Sequence, residues 1–293
     1  MATAALCLLF LACLFVPAFA CDVPVYEYAL LHWARDDYTV YYLHDGTEAT
    51  ADAQVNALLR KVSAGEEGHA NLRFAAVDAR TDVTRLAPEL RRVLAANPDA
   101  ARPSYLLVSP KGRTLFSGRL TKRDVRDLLD SPKSAALARV LSGGAQGVLL
   151  VLTDAEDPRN DAALAAAREV TEVAAAEEKR VGLLQVSRQD PKERWLVRQL
   201  LAVEADLAEI PGPMVFGVYG RCHVTEAYLG KGINTLNLTD LVRFMNGPCT
   251  CEIKAANLGV DLISNWDWEA LVPGAGPPPK AMEPGGYVTL EDE

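Results

Sequence analysis

The sequence predicts an α/β protein made of two tandem three-layer sandwich domains, each with a mixed central sheet. Three observations lead to this prediction. Short β-prone runs alternate with segments of helical periodicity in the order β-α-β-α-β-β-α. The same order then occurs a second time along the chain. The two final hairpins also resemble each other, because each begins at a proline, carries Gly-Arg at its turn and leads into a Leu-rich helix.

The first copy of the unit covers roughly 100 residues. Its predicted strands are rich in Tyr, Val and Phe, and its helices place apolar residues three or four positions apart. In chain order the elements are a strand at 38–45, a helix at 50–64, a strand at 71–79, a helix that ends before Pro98, a hairpin at 103–120 and a helix at 121–131.

The second copy begins with a nearly unbroken apolar run, GVLLVLTD, which is typical of a central strand. A long Ala-rich helix follows, with Asp157 as its expected N-cap. The complete order is a strand at 147–154, a helix at 157–180, a strand at 181–188, a helix at 191–204, a hairpin at 212–230 and a helix at 234–247.

The N-terminus is typical of a secretory signal peptide. The first 20 residues contain no charged residue, and the apolar run ends at Pro17 before the sequence Ala-Phe-Ala. Cleavage after Ala20 leaves Cys21 first, although Ala18 and Phe19 match a lipobox poorly. We therefore expect an exported protein, periplasmic or secreted, with lipid anchoring at Cys21 as the alternative. No later segment is long and apolar enough to span a membrane.

These boundaries divide the chain of 293 residues into five parts. They are a signal peptide at 1–20, a first domain at 21–141, a second domain at 147–251, a C-terminal extension at 252–272 and a disordered Pro/Gly-rich acidic tail at 273–293. The formal net charge of −9 gives no overall basic surface for nucleic acid.

The repeated order resembles the thioredoxin-like fold. In that fold a proline, usually with a cis peptide bond, precedes the third strand beside the redox site, and Pro103 and Pro213 match this position. The opening CDVPVYEYALLHW also resembles the mature N-terminus of a group of uncharacterised exported bacterial proteins. The resemblance implies a Cys-x-x-Cys motif at the start of the first helix, but the matching stretches LHDGTEATA and LTDAEDPRN contain no cysteine. The sequence therefore predicts that the usual dithiol chemistry is absent from both domains.

Four cysteines remain after signal removal, and all are candidates for disulfides in an exported protein: Cys21, Cys222, Cys249 and Cys251. A bridge from Cys222 to Cys249 or Cys251 would join the hairpin to the closing helix. The alternative is a strained, reducible bond between Cys249 and Cys251, which would act as a redox pair. Because this pair follows the closing helix, we expect the negative end of that helix to disfavour a thiolate there.

A third alternative is a metal site formed by Cys222, His223, Cys249 and Cys251. Adjacent residues of a strand point to opposite faces, so Cys222 and His223 are not expected to serve one site together, and we expect no metal and no cofactor. The sequence favours a non-catalytic binding or scaffolding module of the cell envelope with a protein or peptide partner. The alternatives are a thiol-disulfide oxidoreductase that uses Cys249 and Cys251, or a cysteine-based metal-handling protein.

Overall fold

A computed structural model describes residues 23–81, 86, 88–98 and 102–272. The predicted signal peptide, Cys21 and the predicted tail at 273–293 lie outside the described residues. None of the described helices is both long and apolar enough to cross a membrane.

The described chain alternates strands and helices as the sequence predicts. The elements before the middle of the chain are α1 (Val25–Leu31), β1 (Tyr38–His44), α2 (Ala53–Ser63), β2 (Leu72–Asp78), α3 (Pro88–Ala96), β3 (Ser104–Val108), β4 (Thr114–Gly118), α4 (Lys122–Leu129) and α5 (Pro132–Ser142). Those that follow are β5 (Gly147–Thr153), α6 (Arg159–Ala176), β6 (Val181–Ser187), α7 (Arg194–Leu201), β7 (Met214–Tyr219), β8 (His223–Val224), β9 (Tyr228–Leu229), α8 (Thr235–Asn246), α9 (Cys251–Ala256), β10 (Val260–Asp261) and α10 (Trp268–Leu271).

The first sheet has the strand order β2-β1-β3-β4. Strand β1 runs parallel to β2, with Tyr38 opposite Leu72, and antiparallel to β3, with Leu43 opposite Ser104. Strand β4 is antiparallel to β3 and forms one edge of the sheet. Because β1 is central, its alternating side chains enter two cores: Val40 contributes to one face and Tyr41 to the other.

The second sheet repeats this arrangement with the order β6-β5-β7-β8 and continues into β10. Strand β5 is parallel to β6 and antiparallel to β7, and all of its residues are buried, as its apolar run predicts. The short strand β9 also pairs with β7. Leu150 and Leu149 of β5 enter two different core clusters, so helices cover both faces of this sheet.

Both units are therefore three-layer sandwiches with mixed sheets of the same connectivity. The order of a parallel first pair, an antiparallel third strand and a closing antiparallel hairpin is the thioredoxin-like arrangement. The chain carries two such units in tandem. The predicted fold class is confirmed by this topology.

The two chain ends cross between the units. Helix α1, which the predicted boundaries place with the first domain, packs against the second sheet through Val25 and Ala29. Its start is held by the second unit, because the amide of Val25 donates to the carbonyl of Gly247 over 2.9 Å. The guanidinium of Arg221 in turn donates to the carbonyl of Leu30 over 2.7 Å.

The C-terminal extension makes the reciprocal crossing. Strand β10 lengthens the second sheet at β8, and the following Ile263 enters a core cluster of the first sheet. Asn71 fixes this crossing, because its amide nitrogen donates to the carbonyl of Asp36 and its oxygen accepts from the amide of Ser264. Trp268 is buried in a core cluster of the second sheet, and Trp266 packs against the same cluster. The extension is thus part of the fold that joins the two units.

Candidate functional site

The first place where a redox site would lie is the loop between β1 and α2 in the first unit. A short 3-10 turn, Thr50–Asp52, precedes α2 there. The side chain of Asp52 is buried and accepts a hydrogen bond from the hydroxyl of Tyr42 over 2.9 Å. The same hydroxyl accepts from the amide of Ala49 over 3.0 Å. A buried carboxylate, and not a thiol, therefore organises the start of the helix.

Arg119 connects this carboxylate to Pro103. Its guanidinium lies 2.9 Å from Asp52 Oδ1 and donates to the carbonyl of Pro103 over 3.1 Å. Pro103 directly precedes β3, and the peptide bond between Arg102 and Pro103 is cis. Pro103 and the start of α2 thus lie side by side, as the resemblance to the thioredoxin-like fold implies, and the ion pair of Arg119 with Asp52 lies between them.

The second unit fills the corresponding place in a similar way. Asp154 follows β5 and accepts from the amide of Gly212, the residue before Pro213, over 2.8 Å. It also lies 3.3 Å from the guanidinium of Arg188 and accepts from Gln189 over 2.8 Å. The Gly212 amide is the main reason why the pKa of Asp154 is lowered, and this carboxyl is an anion at neutral pH.

Asp157 lies at the start of α6. Its carboxylate pairs with Arg159, whose hydrogen bond lowers the pKa of Asp157 to about 2. The structure places the first helical residue at Arg159, with Pro158 in the N-cap position. Asp157 was the predicted N-cap. It instead accepts from the amide of Arg159 over 2.9 Å from just outside the helix. The peptide bond before Pro213 is not among the cis bonds of the described residues, in contrast to Pro103.

The described cysteines lie in three different environments. Cys222 is buried in one core cluster of the second sheet, and Cys249 is buried in the cluster on the opposite face. Cys251 is exposed. Burial raises the pKa of Cys222 to about 12, so this thiol is not a nucleophile at neutral pH. The disulfide candidates, including Cys21 outside the described residues, stay a prediction.

For Cys251, the expectation that its thiol lies at the negative end of the closing helix is wrong. Cys251 is the first residue of α9, because the preceding Thr250 caps a new helix and accepts from the amide of Ile253. Its thiol therefore lies at the start of a short helix and not at the negative end of α8. In the sequence, only Thr250 pointed to this helix start, because threonine is a favoured N-cap residue. Ile253 stands at the position where a capping box would have Glu or Gln, so the signal was incomplete.

The cysteine-based metal set is not brought together in the described part of the chain. The one group of potential ligands found there within mutual reach is Asp36, His223 and Asp261. Sequence reasoning considered His223 but missed both carboxylates, which lie more than 180 positions away and 38 positions away in the chain, respectively. Nothing in the local sequence pattern relates these three residues.

This cluster is closed by its own hydrogen bonds. His223 Nδ1 lies 2.8 Å from Asp261 Oδ1, and His223 Nε2 lies 2.7 Å from the carbonyl of Leu258. The second oxygen of Asp261 accepts from the amide of Asp36 over 2.8 Å. Because both ring nitrogens face oxygen acceptors, the doubly protonated imidazolium satisfies the contacts best. The residues therefore fit a buried ion pair better than a metal ion.

The surroundings of His223 agree with a charged imidazole. Burial alone would lower the pKa of His223, but the hydrogen bond and charge of Asp261 outweigh burial and raise it. The rings of Trp33 and Tyr219 pack against the imidazole with centroid distances of 5.2 and 5.3 Å. The cluster joins the segment before β1, strand β8 and strand β10, so its role in the structure is to hold the two units and the extension together.

A cleft of about 1040 Å³ lies between the two units. One wall is the edge strand β4 with the turn before it, and the other is α7 with the segment that follows. Arg113 donates across the cleft to the carbonyl of Ala202 over 2.9 Å, and Arg198 donates to the carbonyl of Leu115 over 2.8 Å. Neither guanidinium has a carboxylate partner within the described residues. This cleft therefore combines positive charge with the edge strand of the first sheet, whose Leu115 carbonyl already accepts from Arg198.

Apolar surface accompanies the charge in this cleft. Phe116 of β4 packs edge-on against Trp195 of α7 with a centroid distance of 5.4 Å. The guanidinium of Arg198 lies 5.8 Å from the centre of each ring. A cleft with an edge strand on one wall, arginines across it and the partly buried ring of Phe116 has features that suit an extended peptide.

Comparisons with known proteins give structural matches only. No family model matches the sequence, and no curated protein matches it. The first two thioredoxin domains of Eps1p from Saccharomyces cerevisiae are 11% identical, with 71% of this chain and 92% of that chain covered and a TM-score of 0.26. The zinc-bound form of human ERp44 is 12% identical, with 75% and 59% covered and a TM-score of 0.26. ERdj5 in form II is 12% identical, with 73% and 26% covered and a TM-score of 0.24.

The chain thus spans just over half of ERp44 and about a quarter of ERdj5. The assignment of the thioredoxin-like fold rests on the strand order and register of this chain itself.

Proposed function

We propose that the protein is an exported, redox-inactive thioredoxin-like module of the cell envelope that binds an extended, acidic peptide segment in the cleft between its two units. The observation that carries the proposal is the cleft itself, with edge strand β4 on one wall and the guanidinium groups of Arg113 and Arg198 reaching across it. An extended peptide gains main-chain hydrogen bonds when it pairs with such an edge. Acidic side chains would complement the two arginines.

The proposed absence of redox activity is supported by the loops that precede α2 and α6. In each unit a carboxylate lies near the proline that precedes the third strand. Arg119 pairs with Asp52 and donates to the carbonyl of Pro103, and Asp154 accepts from the amide of Gly212, the residue before Pro213. A neighbouring negative charge disfavours a thiolate, so the surroundings of these two loops do not favour dithiol exchange. Export is supported by the uncharged apolar N-terminus with its Ala-Phe-Ala site.

Peptide binding tests this proposal directly. Fluorescence anisotropy would be measured with labelled eight-residue peptides of alternating polar and apolar residues, in an acidic and a lysine-substituted version. We expect the acidic peptide to bind, and Arg198→Ala to weaken binding by about tenfold, which corresponds to about 1.4 kcal/mol for one charged contact. Arg168→Ala is the matched control, because Arg168 is an exposed arginine of α6 away from the cleft. Equal affinity for both peptides, or an equal effect of both substitutions, would contradict the proposal.

One observation favours a second candidate, the oxidoreductase that uses Cys249 and Cys251. The thiol of Cys251 is exposed at the start of α9 and accessible to a substrate. Its expected partner Cys249 is fully buried, however, which separates the environments of the two sulfur atoms. Catalytic reduction of insulin disulfides that disappears in Cys251→Ser would replace the binding proposal with this one.

A further inference from the structure

A second pocket, of about 480 Å³, lies on the second unit between helix α8 and the connection from β8 to β9. The buried side chain of Leu241 and the half-buried rings of Tyr228 and Phe244 line it. The exposed residues Glu226 and Asp240 line it as well. The pocket thus combines apolar and aromatic surface with negative charge, and none of its described lining residues also lines the cleft between the units.

A β-bulge shapes the wall of this pocket between β8 and β9. Strand β7 pairs with β8 through Val218 and Val224, and it pairs with β9 through Val215 and Tyr228. Between these two pairs, two residues of β7 face three residues of the other segment. Such a bulge interrupts the ladder and re-aims the side chains beside it. Glu226 is the middle residue of the three, and it is exposed at the pocket.

Hydrogen bonds hold the walls of the pocket in place. In the bulge, the hydroxyl of Thr225 accepts from a backbone amide of β7 over 3.0 Å. The carboxylate of Glu204 accepts from the amide of Ala227 over 2.8 Å. The main chain at Leu258, which also lines the pocket, is fixed because its carbonyl lies 2.7 Å from Nε2 of His223. Walls that are ordered before a ligand arrives lower the conformational cost of binding.

The negative charge at the pocket is only partly neutralised. Asp240 pairs with Arg243 over 3.0 Å, but both side chains are exposed, and an exposed pair of this kind is weak. In the part of the chain that the structure describes, no lysine or arginine forms an ion pair with Glu226. The charges of Asp240 and Glu226 add to burial in raising the pKa of Tyr228, so both carboxylates act on the interior of the pocket.

Apolar surface continues beyond the pocket. Leu258 lines it with an exposed side chain, and Leu236, also exposed, lies one helical turn before Asp240 on α8. A small organic cation in the pocket would leave both leucines in water. A peptide whose basic residue enters the pocket covers them with the apolar residues on either side.

We propose that this pocket binds a basic side chain, lysine or arginine, of a partner peptide that carries apolar residues on both sides of it. The apolar stem of the basic side chain packs against Leu241 beside the rings of Tyr228 and Phe244, and its cationic group pairs with Glu226. The partner is therefore opposite in charge to the acidic peptide proposed for the cleft. This inference does not depend on the proposed function, because the two places have different linings.

The experiment measures binding of two labelled peptides to the full chain by fluorescence anisotropy. The first is GLSKSLG, whose lysine and two leucines share one side of an extended chain. The second has norleucine in place of lysine, which keeps the four-carbon stem but lacks the ammonium group. The variants are Glu226→Gln and Leu258→Ser, both at exposed positions, and the control is Glu66→Gln, an exposed glutamate of the first unit. Circular dichroism checks that each variant is folded.

We expect the unchanged chain to bind the lysine peptide about tenfold more tightly than the norleucine peptide. Glu226→Gln is expected to remove most of this difference, because the carboxylate that pairs with the ammonium group is lost. Leu258→Ser is expected to weaken both peptides, and Glu66→Gln is expected to weaken neither.

Equal affinity for the two peptides, or binding of neither, would overturn the inference. Equal effects of Glu226→Gln and Glu66→Gln would also overturn it, because they would reduce the preference for lysine to attraction by the net negative charge. Butylammonium chloride serves as a competitor that has the cation and stem without a peptide. If it displaces the lysine peptide at a concentration close to the Kd of that peptide, the pocket is a site for small amines and the peptide partner is overturned.

Discussion

His223 and Asp261 form a buried ion pair, with Nδ1 and Oδ1 separated by 2.8 Å, between two strands that belong to different parts of the chain. His223 lies in β8 of the second sheet, and Asp261 lies in β10 of the C-terminal extension. The amide of Asp36, just before the first sheet, donates to the same carboxylate. One charge pair thus fixes the point where three segments meet, and its protonation is linked to the stability of the whole arrangement.

The first prediction concerns the pH dependence of stability. The folded pKa of His223 is raised, so its contribution to stability is complete below the unfolded value of about 6.5 and is lost as the pH rises through the folded pKa. Asp36 acts in the same direction: burial, with the charge of Asp261, raises the pKa of this carboxyl, so its ionisation also lowers stability as the pH rises. Other charged and titratable groups near this site are Arg35, Arg221, Lys111, the thiol of Cys222 and the hydroxyls of Tyr38 and Tyr219.

Urea unfolding between pH 5 and pH 9 measures this linkage. Stability is expected to fall with rising pH in the unchanged protein, and this decrease is expected to be smaller above pH 6 in His223→Gln, where the contribution of Asp36 remains. The substitution should also cost about 3–5 kcal/mol at pH 6, because it leaves Asp261 buried without its ionic partner. His69→Gln is the control, since the side chain of His69 is 56% exposed. An unchanged pH slope in His223→Gln would show that His223 is not the titrating group.

The second prediction concerns the carboxylate beside Pro103. Asp52→Ala removes the acceptor of the Tyr42 hydroxyl and the ionic partner of Arg119. We expect a loss of about 1–3 kcal/mol in the free energy of unfolding, because a buried polar network is left incomplete. Asp45→Ala, in the same loop but 57% exposed at its side chain, is expected to change stability by less than about 0.5 kcal/mol. Chemical denaturation followed by circular dichroism measures both, and equal losses would contradict a special role for Asp52.

The third prediction concerns the reactivity of the cysteines. Cys251 is exposed, whereas Cys222 is buried and its pKa is raised to about 12. Iodoacetamide at pH 8 is therefore expected to modify Cys251 in the native protein and to modify Cys222 only after unfolding in urea. Peptide mass mapping identifies the modified residues and also any disulfide that involves Cys21 or Cys249. Rapid native labelling of Cys222 would contradict its burial between the sheet and the extension.

The fourth prediction concerns the contact between the two units. Trp195 belongs to α7 of the second unit but is buried in a core cluster of the first sheet. Trp195→Ala is expected to cost about 3–5 kcal/mol and to separate thermal unfolding into two transitions, because the shared core is lost. Leu236→Ala is the control, since Leu236 is 68% exposed on α8. Differential scanning calorimetry measures both variants, and a single transition in Trp195→Ala would show that other contacts couple the units.

Local sequence patterns were sufficient for the architecture of the two units. The unbroken apolar run at 147–153 predicted the central strand β5, and the repeated hairpins predicted the duplicated sheet order, because strand and helix periodicities are local properties of the chain. The prolines at 103 and 213 were assigned to the residue directly before β3 and β7, where the structure has them. Helix α5, which Ser131 caps and Pro132 begins, was not predicted, because no element was assigned to the residues that follow the closing helix at 121–131.

Only the tertiary structure decided how these units are joined and where chemistry is concentrated. The sequence marked Cys249 and Cys251 because they are neighbours in the chain, whereas Asp36, His223 and Asp261 meet only after β10 has paired with β8. The cleft likewise depends on β4 of one unit facing α7 of the other. Contacts between distant segments follow from the packing of complete elements and leave no period or spacing in the sequence, so they emerge only when the folded chain brings those elements together.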